Sequence, residues 1–161
     1  MLFWLGWQSL DNRTASSNPS IIRPGQPAPD FSLPAFSGET VRLSDLKGQV
    51  VLVNLWATWC PPCKQEMPAI DAFYRAHREA GFTVLMVNVQ EDGGTVQAFI
   101  KANDFSFPAL LDTQGELMNL YGVHGLPTTF IIDRNGRVRH IQTGAITQAE
   151  LETIVNPLLN Q

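Results

Sequence analysis

The sequence predicts an α/β domain in which helices flank both faces of a central mixed β-sheet. Two observations carry this prediction: a strand, a helix and a second strand follow one another in the middle of the chain, and a β-hairpin precedes the last helix. The first unit makes parallel strands and the second makes antiparallel ones, so the sheet that holds both is mixed. The 161 residues fit one domain of ordinary size with a modest tail.

The predicted domain opens with a short N-terminal β-hairpin extension. Its strands are expected at residues 31–33 and 40–42, because the turn-forming pair Ser37 and Gly38 lies between them. The run from Gln49 to Trp56 follows and is almost entirely apolar. Such a run is typical of a strand buried on both faces.

A helix is predicted directly after this buried strand. It runs from Pro61 to Ala80, with apolar residues on one stripe and Gly81 placed as its C-terminal stop. The pair Asn135 and Gly136 indicates the tight turn of a later hairpin. The remaining elements are expected to be strands at 82–89, 127–133 and 138–143, and helices at 94–103, 114–121 and 147–159.

Composition excludes two classes of protein. Hydrophobic residues make up 44% of the chain and charged residues 16%, which is far from the composition of a disordered protein. The net charge of -4 supplies no basic face for a polyanion. We therefore expect no nucleic acid partner.

The start of the chain reads as a tail, residues 1–23, before a domain at 24–161. Residues 1–7 are mostly apolar, but a spanning helix needs ~20 such residues. A signal peptide has a basic segment before its apolar run, and no Lys or Arg precedes Arg13. Two interpretations stay open here: a surface tail, or the downstream part of a signal anchor. Residues 11–30 are rich in Asn, Ser and Pro and indicate a linker.

The two cysteines, Cys60 and Cys63, are the only ones in the chain. They can pair with each other or with an incoming thiol. In the chain-entropy model a disulfide that closes so short a loop stabilises by roughly 2 kcal/mol, against about 4.7 kcal/mol for a hundred-residue loop. The spacing therefore suits reversible chemistry better than stabilisation of the fold.

The position of Cys60 favours a nucleophilic role. Cys60 directly precedes the predicted helix, whose first residue, Pro61, needs no N–H at that position. The positive end of the helix dipole stabilises a thiolate there by up to ~2 kcal/mol. Cys63 lies one turn further along, where it can attack a mixed disulfide on Cys60 and release the substrate.

Four segments carry a resemblance to a known family: Pro24-Gly-Gln-Pro-Ala-Pro-Asp-Phe31, Trp59-Cys-Pro-Pro-Cys63, Phe107-Pro-Ala-Leu-Leu-Asp112 and Gly125-Leu-Pro-Thr-Thr-Phe130. The chain resembles thioredoxin-fold oxidoreductases. It is most similar to the TlpA/ResA-like extracytoplasmic thiol–disulfide reductases, which include the cytochrome c maturation thioredoxins. The resemblance covers residues 24–160 and implies a thioredoxin fold.

The resemblance also implies how the site is shaped. It implies a cis peptide bond between Leu126 and Pro127 that places this loop against the two sulfurs; an ordinary trans proline is the alternative. The backbone of Leu126 would then pair with an extended substrate peptide. Apart from the resemblance, the position of Trp59 next to Cys60 predicts that its ring shields the thiol and contacts substrate, with core packing as the alternative. The Pro61–Pro62 pair between the cysteines is expected to tune the reduction potential.

Glu66 and Asn54 bear on proton transfer. Glu66 follows Cys63 by three residues and shares its helix face, and in the family a glutamate here is associated with acid–base behaviour. Our hypothesis is that Glu66 modulates the titration of the thiols or accepts a proton from Cys63; a solvated helix carboxylate is the alternative. Asn54 stands where thioredoxin carries a buried aspartate, and it cannot ionise.

Five further residues are weaker candidates. Lys64 would favour a thiolate electrostatically, although a surface lysine is the simpler interpretation. His124 precedes Pro127 by three residues and would approach the sulfurs if this loop lies against them. We expect Trp56 to pack in the core, and His77 and His140 to lie on the surface of a helix and a strand.

Two other classes stay open for these cysteines. A metal-binding module would hold copper or zinc between them, but a structural zinc site needs four ligands and the three histidines supply no second pair. A thiol peroxidase would share the opening of the domain, residues 24–56. Peroxiredoxins, however, carry their cysteine in a Pro-x-x-x-Thr-x-x-Cys setting that residues 55–60 do not match.

The resulting prediction is a monomeric protein-disulfide reductase that needs no metal or other cofactor. Its expected partners are protein disulfides or dithiols, apocytochrome c among them, and a membrane thiol carrier that donates electrons. The resemblance favours an extracytoplasmic location, in the periplasm or at the outer face of the cytoplasmic membrane. A membrane anchor and a cytoplasmic location stay open.

Overall fold

The structure, a computed structural model, describes residues 21–161. This part of the chain forms seven strands and four α-helices. They are β1 (Ser32–Pro34), β2 (Thr40–Arg42), β3 (Val50–Trp56), α1 (Pro61–His77), β4 (Phe82–Val89), α2 (Gly93–Asn103), β5 (Ala109–Asp112), α3 (Glu116–Leu120), β6 (Thr128–Ile132), β7 (Val138–Thr143) and α4 (Gln148–Leu159).

The central sheet has five strands in the order β5-β4-β3-β6-β7. Strands β3, β4 and β5 are parallel, whereas β6 and β7 run antiparallel to their neighbours. The predicted mixed sheet is therefore confirmed. Strands β1 and β2 form the predicted N-terminal hairpin as a separate pair, and Ala35 bridges to Leu110 at the edge of the central sheet.

Strand β3 forms the middle of the core, and all of its residues are buried. Its side chains alternate between two clusters, as the period of a strand requires. Leu52 and Trp56 pack with α1, α2 and α4 on one face of the sheet. Val53 and Leu55 pack with the N-terminal hairpin and α3 on the other, so helices flank both faces, as expected.

Local sequence accounts for the ends of the helices. Asp92 and Thr147 cap α2 and α4 by accepting backbone hydrogen bonds, and Glu150 completes a capping box with Thr147. The predicted helix 61–80 is α-helical only to His77, and residues 78–80 form a 3₁₀ turn. Gly81 ends this turn in the left-handed conformation at φ +89°, as predicted from its position.

The predicted elements need two further corrections. Strand β5 was not among them, because its four residues are too few to show a period and follow directly on Pro108. The helix expected at 114–121 is limited to Glu116–Leu120. Residues 1–20 of the predicted tail at 1–23, which include the apolar run, lie outside the described residues. No helix within residues 21–161 is long and apolar enough to cross a membrane.

Candidate active site

The two cysteines lie where the most buried strand meets the longest helix. The chain leaves β3 at Trp56 and turns, and Cys60 becomes the N-cap of α1. Cys60 and Cys63 form a disulfide, with their Cα atoms 5.3 Å apart. The Cys63 N–H donates to Cys60 Sγ at 3.3 Å. Because Pro61 and Pro62 have no N–H, this is the first donor that the helix offers to the sulfur.

The disulfide is nearly shielded from solvent. Cys60 is 3% exposed and Cys63 is fully buried. Beside them, the Trp59 side chain is 69% exposed, an unusual state for a large apolar residue. The loop before β6 approaches this region, and its Leu126–Pro127 bond is cis, as the resemblance implies.

A groove connects several of the predicted site residues. Trp59, His124 and Leu126 all line it, together with Gln90 and Met118. The structure therefore brings His124 to the same surface as Trp59, although the two are far apart in the sequence. Lys64 is exposed on α1.

Glu66 lies in the second turn of α1, near the disulfide, and is buried. Its side chain is 2% exposed, so the alternative of a solvated helix carboxylate is wrong. Its Oε1 accepts from Asn54 Nδ2 at 2.6 Å, and its Oε2 accepts from the Ile146 backbone N–H at 2.9 Å. Burial raises the pKa of Glu66 to about 7, outweighing these two hydrogen bonds, which act to lower it.

Asn54 joins three elements around this carboxylate. It lies on β3 and is fully buried. Its Nδ2 also approaches Thr129 Oγ1 on β6, at 2.9 Å. Its Oδ1 has no hydrogen-bond partner within residues 21–161.

Glu91, which was not among the predicted site residues, supports the turn before Cys60. Its carboxylate accepts from the Thr58 N–H at 2.9 Å, the Thr58 hydroxyl at 2.5 Å and Asn88 Nδ2 at 2.6 Å. Strands β3 and β4 are parallel, and Trp56 pairs with Asn88. Because the carboxyl ends of parallel strands meet at one edge of a sheet, an acid just after β4 could have been placed beside this turn.

The three remaining candidate residues are fully or partly buried. Trp56 is buried and packs against Phe99, with ring centroids 5.3 Å apart, as expected of a core residue. His77 is half-buried and stacks on Phe73, and His140 is half-buried on β7. Across residues 21–161, no three His, Cys, Asp or Glu side chains are grouped closely enough to hold a metal ion.

The fold and the Cys-x-x-Cys disulfide at the start of α1 are those of thioredoxin-fold proteins that exchange thiols and disulfides. The chain belongs to the AhpC/TSA family, whose sequence model matches residues 24–141. It is 42% identical over 133 residues to the thiol-disulfide oxidoreductase ResA of Geobacillus kaustophilus, which covers 83% of this chain and 76% of that protein.

Two solved structures are similar along most of their length. A thiol:disulfide interchange protein of the thioredoxin family from Chlorobium tepidum matches with a TM-score of 0.76 and 32% identity, over 85% of this chain and 97% of that one. A secreted thiol-disulfide isomerase from Corynebacterium glutamicum matches with a TM-score of 0.77 and 27% identity, over 83% and 85%.

These findings confirm the predicted fold and the ResA-like resemblance. The chain is a thiol–disulfide oxidoreductase, and the two cysteines of its Cys-x-x-Cys sequence, Cys60 and Cys63, form a disulfide.

Proposed function

We propose that this oxidoreductase works as a reductase of protein disulfides, with Cys60 as the attacking thiol and Cys63 as the resolving one. The observation that carries the proposal is the place of Cys60 as N-cap of α1, with the Cys63 N–H aimed at its sulfur. Once the disulfide opens, that N–H and the helix dipole stabilise a thiolate on Cys60.

The reaction is a transfer of two electrons in two exchanges. The Cys60 thiolate attacks one sulfur of the substrate disulfide, whose S–S bond breaks, and the other substrate sulfur leaves as a thiolate and takes up a proton. The Cys63 thiolate then attacks Cys60 Sγ and breaks the mixed disulfide. The second substrate sulfur leaves and is protonated, and the Cys60–Cys63 disulfide remains.

Glu66 is proposed to accept the proton that Cys63 must lose before it attacks. It lies one helical turn after Cys63 on the same face of α1. A carboxyl with a pKa of about 7 is half protonated at neutral pH, so it can both take up and release a proton. Asn54 and Ile146 hold the carboxylate in place.

The groove beside the disulfide is proposed to bind the substrate chain. An extended segment would pair with the backbone of Leu126 next to Pro127, and the exposed ring of Trp59 would cover its cysteine. Pro61 and Pro62 are proposed to set the potential, because each removes an N–H that would otherwise stabilise the reduced Cys60. His124 would contact the flanking residues of the substrate.

We also infer the setting in which the reaction takes place. The similarity to ResA and to a secreted isomerase supports an extracytoplasmic location, where a membrane thiol carrier would supply electrons. Disulfides form and persist in such compartments, and oxidised secreted proteins or apocytochrome c would be substrates. The protein would act as a monomer.

The direction of the reaction is tested by the reduction potential of the Cys60–Cys63 pair. Equilibration with glutathione buffers is expected to give a potential more negative than about -220 mV, in the range of reducing thioredoxin-like proteins. A value near about -120 mV, that of a strong oxidant, would overturn the reductase proposal.

A matched assay separates the reductase from the other classes of protein. Insulin turbidity with dithiothreitol is expected to develop faster with the protein than without it, and Cys60→Ser is the inactive control. Consumption of hydrogen peroxide would instead indicate a thiol peroxidase. Tight retention of copper or zinc with neither activity would indicate a metal-binding module.

A further inference from the structure

One polar atom in the cluster around Glu66 forms no hydrogen bond within the described residues. Asn54 uses its Nδ2 twice, towards Glu66 Oε1 and Thr129 Oγ1, while its Oδ1 has no partner within the described residues. An unpaired amide oxygen in the core costs free energy, so a fully buried asparagine in this state calls for a physical reason.

The arrangement suits only one protonation state of Glu66. Both carboxylate oxygens accept, Oε1 from Asn54 and Oε2 from the Ile146 N–H. When the carboxyl gains a proton, it becomes a donor as well and needs an acceptor. The Ile146 N–H cannot turn into one, because a backbone amide is fixed by its peptide plane. The side-chain amide of Asn54 can, because its oxygen and nitrogen exchange places by rotation about one bond.

We propose that Asn54 is a positioning residue that serves Glu66 in both protonation states by rotating its amide half a turn. With Glu66 ionised, Nδ2 donates to Oε1. With Glu66 protonated, the carboxyl O–H donates to Oδ1, which then occupies the place of Nδ2. This inference rests on the proposed role of Glu66 as a proton acceptor and deepens it.

Thr129 permits the rotation. Its hydroxyl can accept from Nδ2 in one state and donate to Oδ1 in the other, because a hydroxyl both donates and accepts. After the rotation Nδ2 faces outward and its two N–H groups lack partners, which costs more than one unpaired carbonyl oxygen. The hydrogen bond from the protonated Glu66 carboxyl to Oδ1 offsets this cost, so the rotated state requires the proton. The protonation of Glu66 therefore decides which way the amide faces.

Within the described part of the chain, no charged side chain forms a hydrogen bond or an ion pair with Glu66. From α1, the nearest titratable neighbours of Glu66 along the helix are Cys63, which the disulfide prevents from titrating, and exposed Lys64. Asn54 and Thr129 approach from β3 and β6, and Ile146 from the loop before α4. Within residues 21–161, Glu66 makes no salt bridge. An aspartate in place of Asn54 would instead put a second carboxylate beside the first, and the two would share one proton.

The test is an NMR titration of the oxidised protein from about pH 5 to about pH 9, a range that spans the midpoint of Glu66. In this form neither cysteine titrates, so the result does not depend on whether the protein reduces disulfides. Above the midpoint, cross-peaks are expected between the Asn54 amide protons and the Glu66 methylene protons. Below it, these cross-peaks should disappear, because Oδ1 then faces the carboxyl.

Asn88 is the internal control. It is also a fully buried asparagine, on the neighbouring strand, with Nδ2 bound to a glutamate and Oδ1 without a partner in the described part of the chain. Its glutamate is Glu91, so its signals should not follow the Glu66 midpoint. Asn54 cross-peaks that persist on both sides of that midpoint would overturn the proposal.

The variant Glu66→Gln supplies a second, independent measurement. Its side-chain oxygen accepts from the Ile146 N–H, so its NH₂ group faces Asn54 and requires Oδ1 there. Its spectra should therefore lack the cross-peaks at every pH, as the wild type does at low pH. Cross-peaks retained in this variant would contradict the rotation, and the wild-type titration stands by itself if the variant does not fold.

Discussion

Two buried carboxylates on α1, Glu66 and Asp71, have opposite surroundings. Asp71 is 6% exposed, forms a salt bridge to Arg75 at 2.7 Å and accepts from Ser106 and Phe107. Glu66 is 2% exposed, has two donors and makes no salt bridge within residues 21–161. A buried acid with a cationic partner and several donors joins segments of the fold, whereas burial with few donors raises the pKa of a carboxyl towards neutral pH. The difference teaches that burial alone does not identify a functional carboxylate.

The largest expected effect is on stability, at Asp71. Asp71→Ala leaves the Arg75 guanidinium and the donors of the 106–107 segment without their acceptor. We expect the free energy of unfolding to fall by about 3–5 kcal/mol, measured by urea denaturation. Glu79→Ala, at an exposed acid just after the same helix, is the control. Insulin reduction by folded Asp71→Ala should stay near the wild-type rate, and a large loss there would break the comparison.

The stability of the oxidised protein should depend on pH through Glu66. Folding raises the pKa of Glu66 from 4.5 to about 7, so the folded state binds the proton more tightly than the unfolded state. Stability from this group is therefore fully present below about pH 4.5 and is lost as the pH rises through about 7, by up to about 3 kcal/mol.

Urea denaturation at about pH 5 and about pH 8 measures this loss. In Glu66→Gln, which does not titrate, the difference between the two pH values should shrink by the same amount. An equal pH dependence in the variant and the wild type would contradict the raised pKa of Glu66.

The rate of disulfide reduction should also fall when Glu66 cannot accept a proton. For Glu66→Gln we expect a loss of about a hundred-fold in insulin reduction at neutral pH, the lower end of what a general acid–base group contributes. The titration of the two thiols, followed by alkylation rate against pH, should change as well. If both the thiol titration and the rate are unchanged, Glu66 has no part in proton transfer.

The smallest effect is expected at Glu91. This half-buried acid has more hydrogen-bond donors around it than Glu66 and fewer than Asp71. Glu91→Gln replaces one acceptor oxygen with an NH₂ group that meets donors from Thr58 and Asn88. A loss of about 1–2 kcal/mol in the free energy of unfolding is expected. Thermal denaturation beside the exposed control Glu79→Gln measures it, and equal losses in the two variants would show that Glu91 does not hold the turn before Cys60.

Local sequence predicted the frame of the site well. The apolar run of β3, Pro61 after Cys60, and Gly81 at the end of the helix region each act through neighbouring residues, so their patterns are visible in the sequence. The Asn135–Gly136 turn between β6 and β7 belongs to the same group. Strand β5 was not predicted, because its four residues owe their conformation to pairing with β4.

The hydrogen-bond partners and the burial of Glu66 could not be predicted from the sequence, for a physical reason. The Ile146 N–H that binds its carboxylate is 80 residues away, and Thr129 is 75 residues from Asn54. A helical spacing of three residues placed Glu66 on the face of Cys63, but it could not say whether that face meets solvent or core. The contact between α1 and the last segments of the chain decides this, and only the folded chain shows it.

Because the Ile146 N–H donates to Glu66, this amide near the end of the chain reports the protonation state of Glu66. The bond strengthens when the carboxylate is ionised, because charge-assisted hydrogen bonds are stronger than neutral ones. The Ile146 amide should therefore gain protection from hydrogen–deuterium exchange as Glu66 loses its proton. One backbone amide, without an attached probe or a substitution, would follow the protonation of Glu66 through the redox cycle.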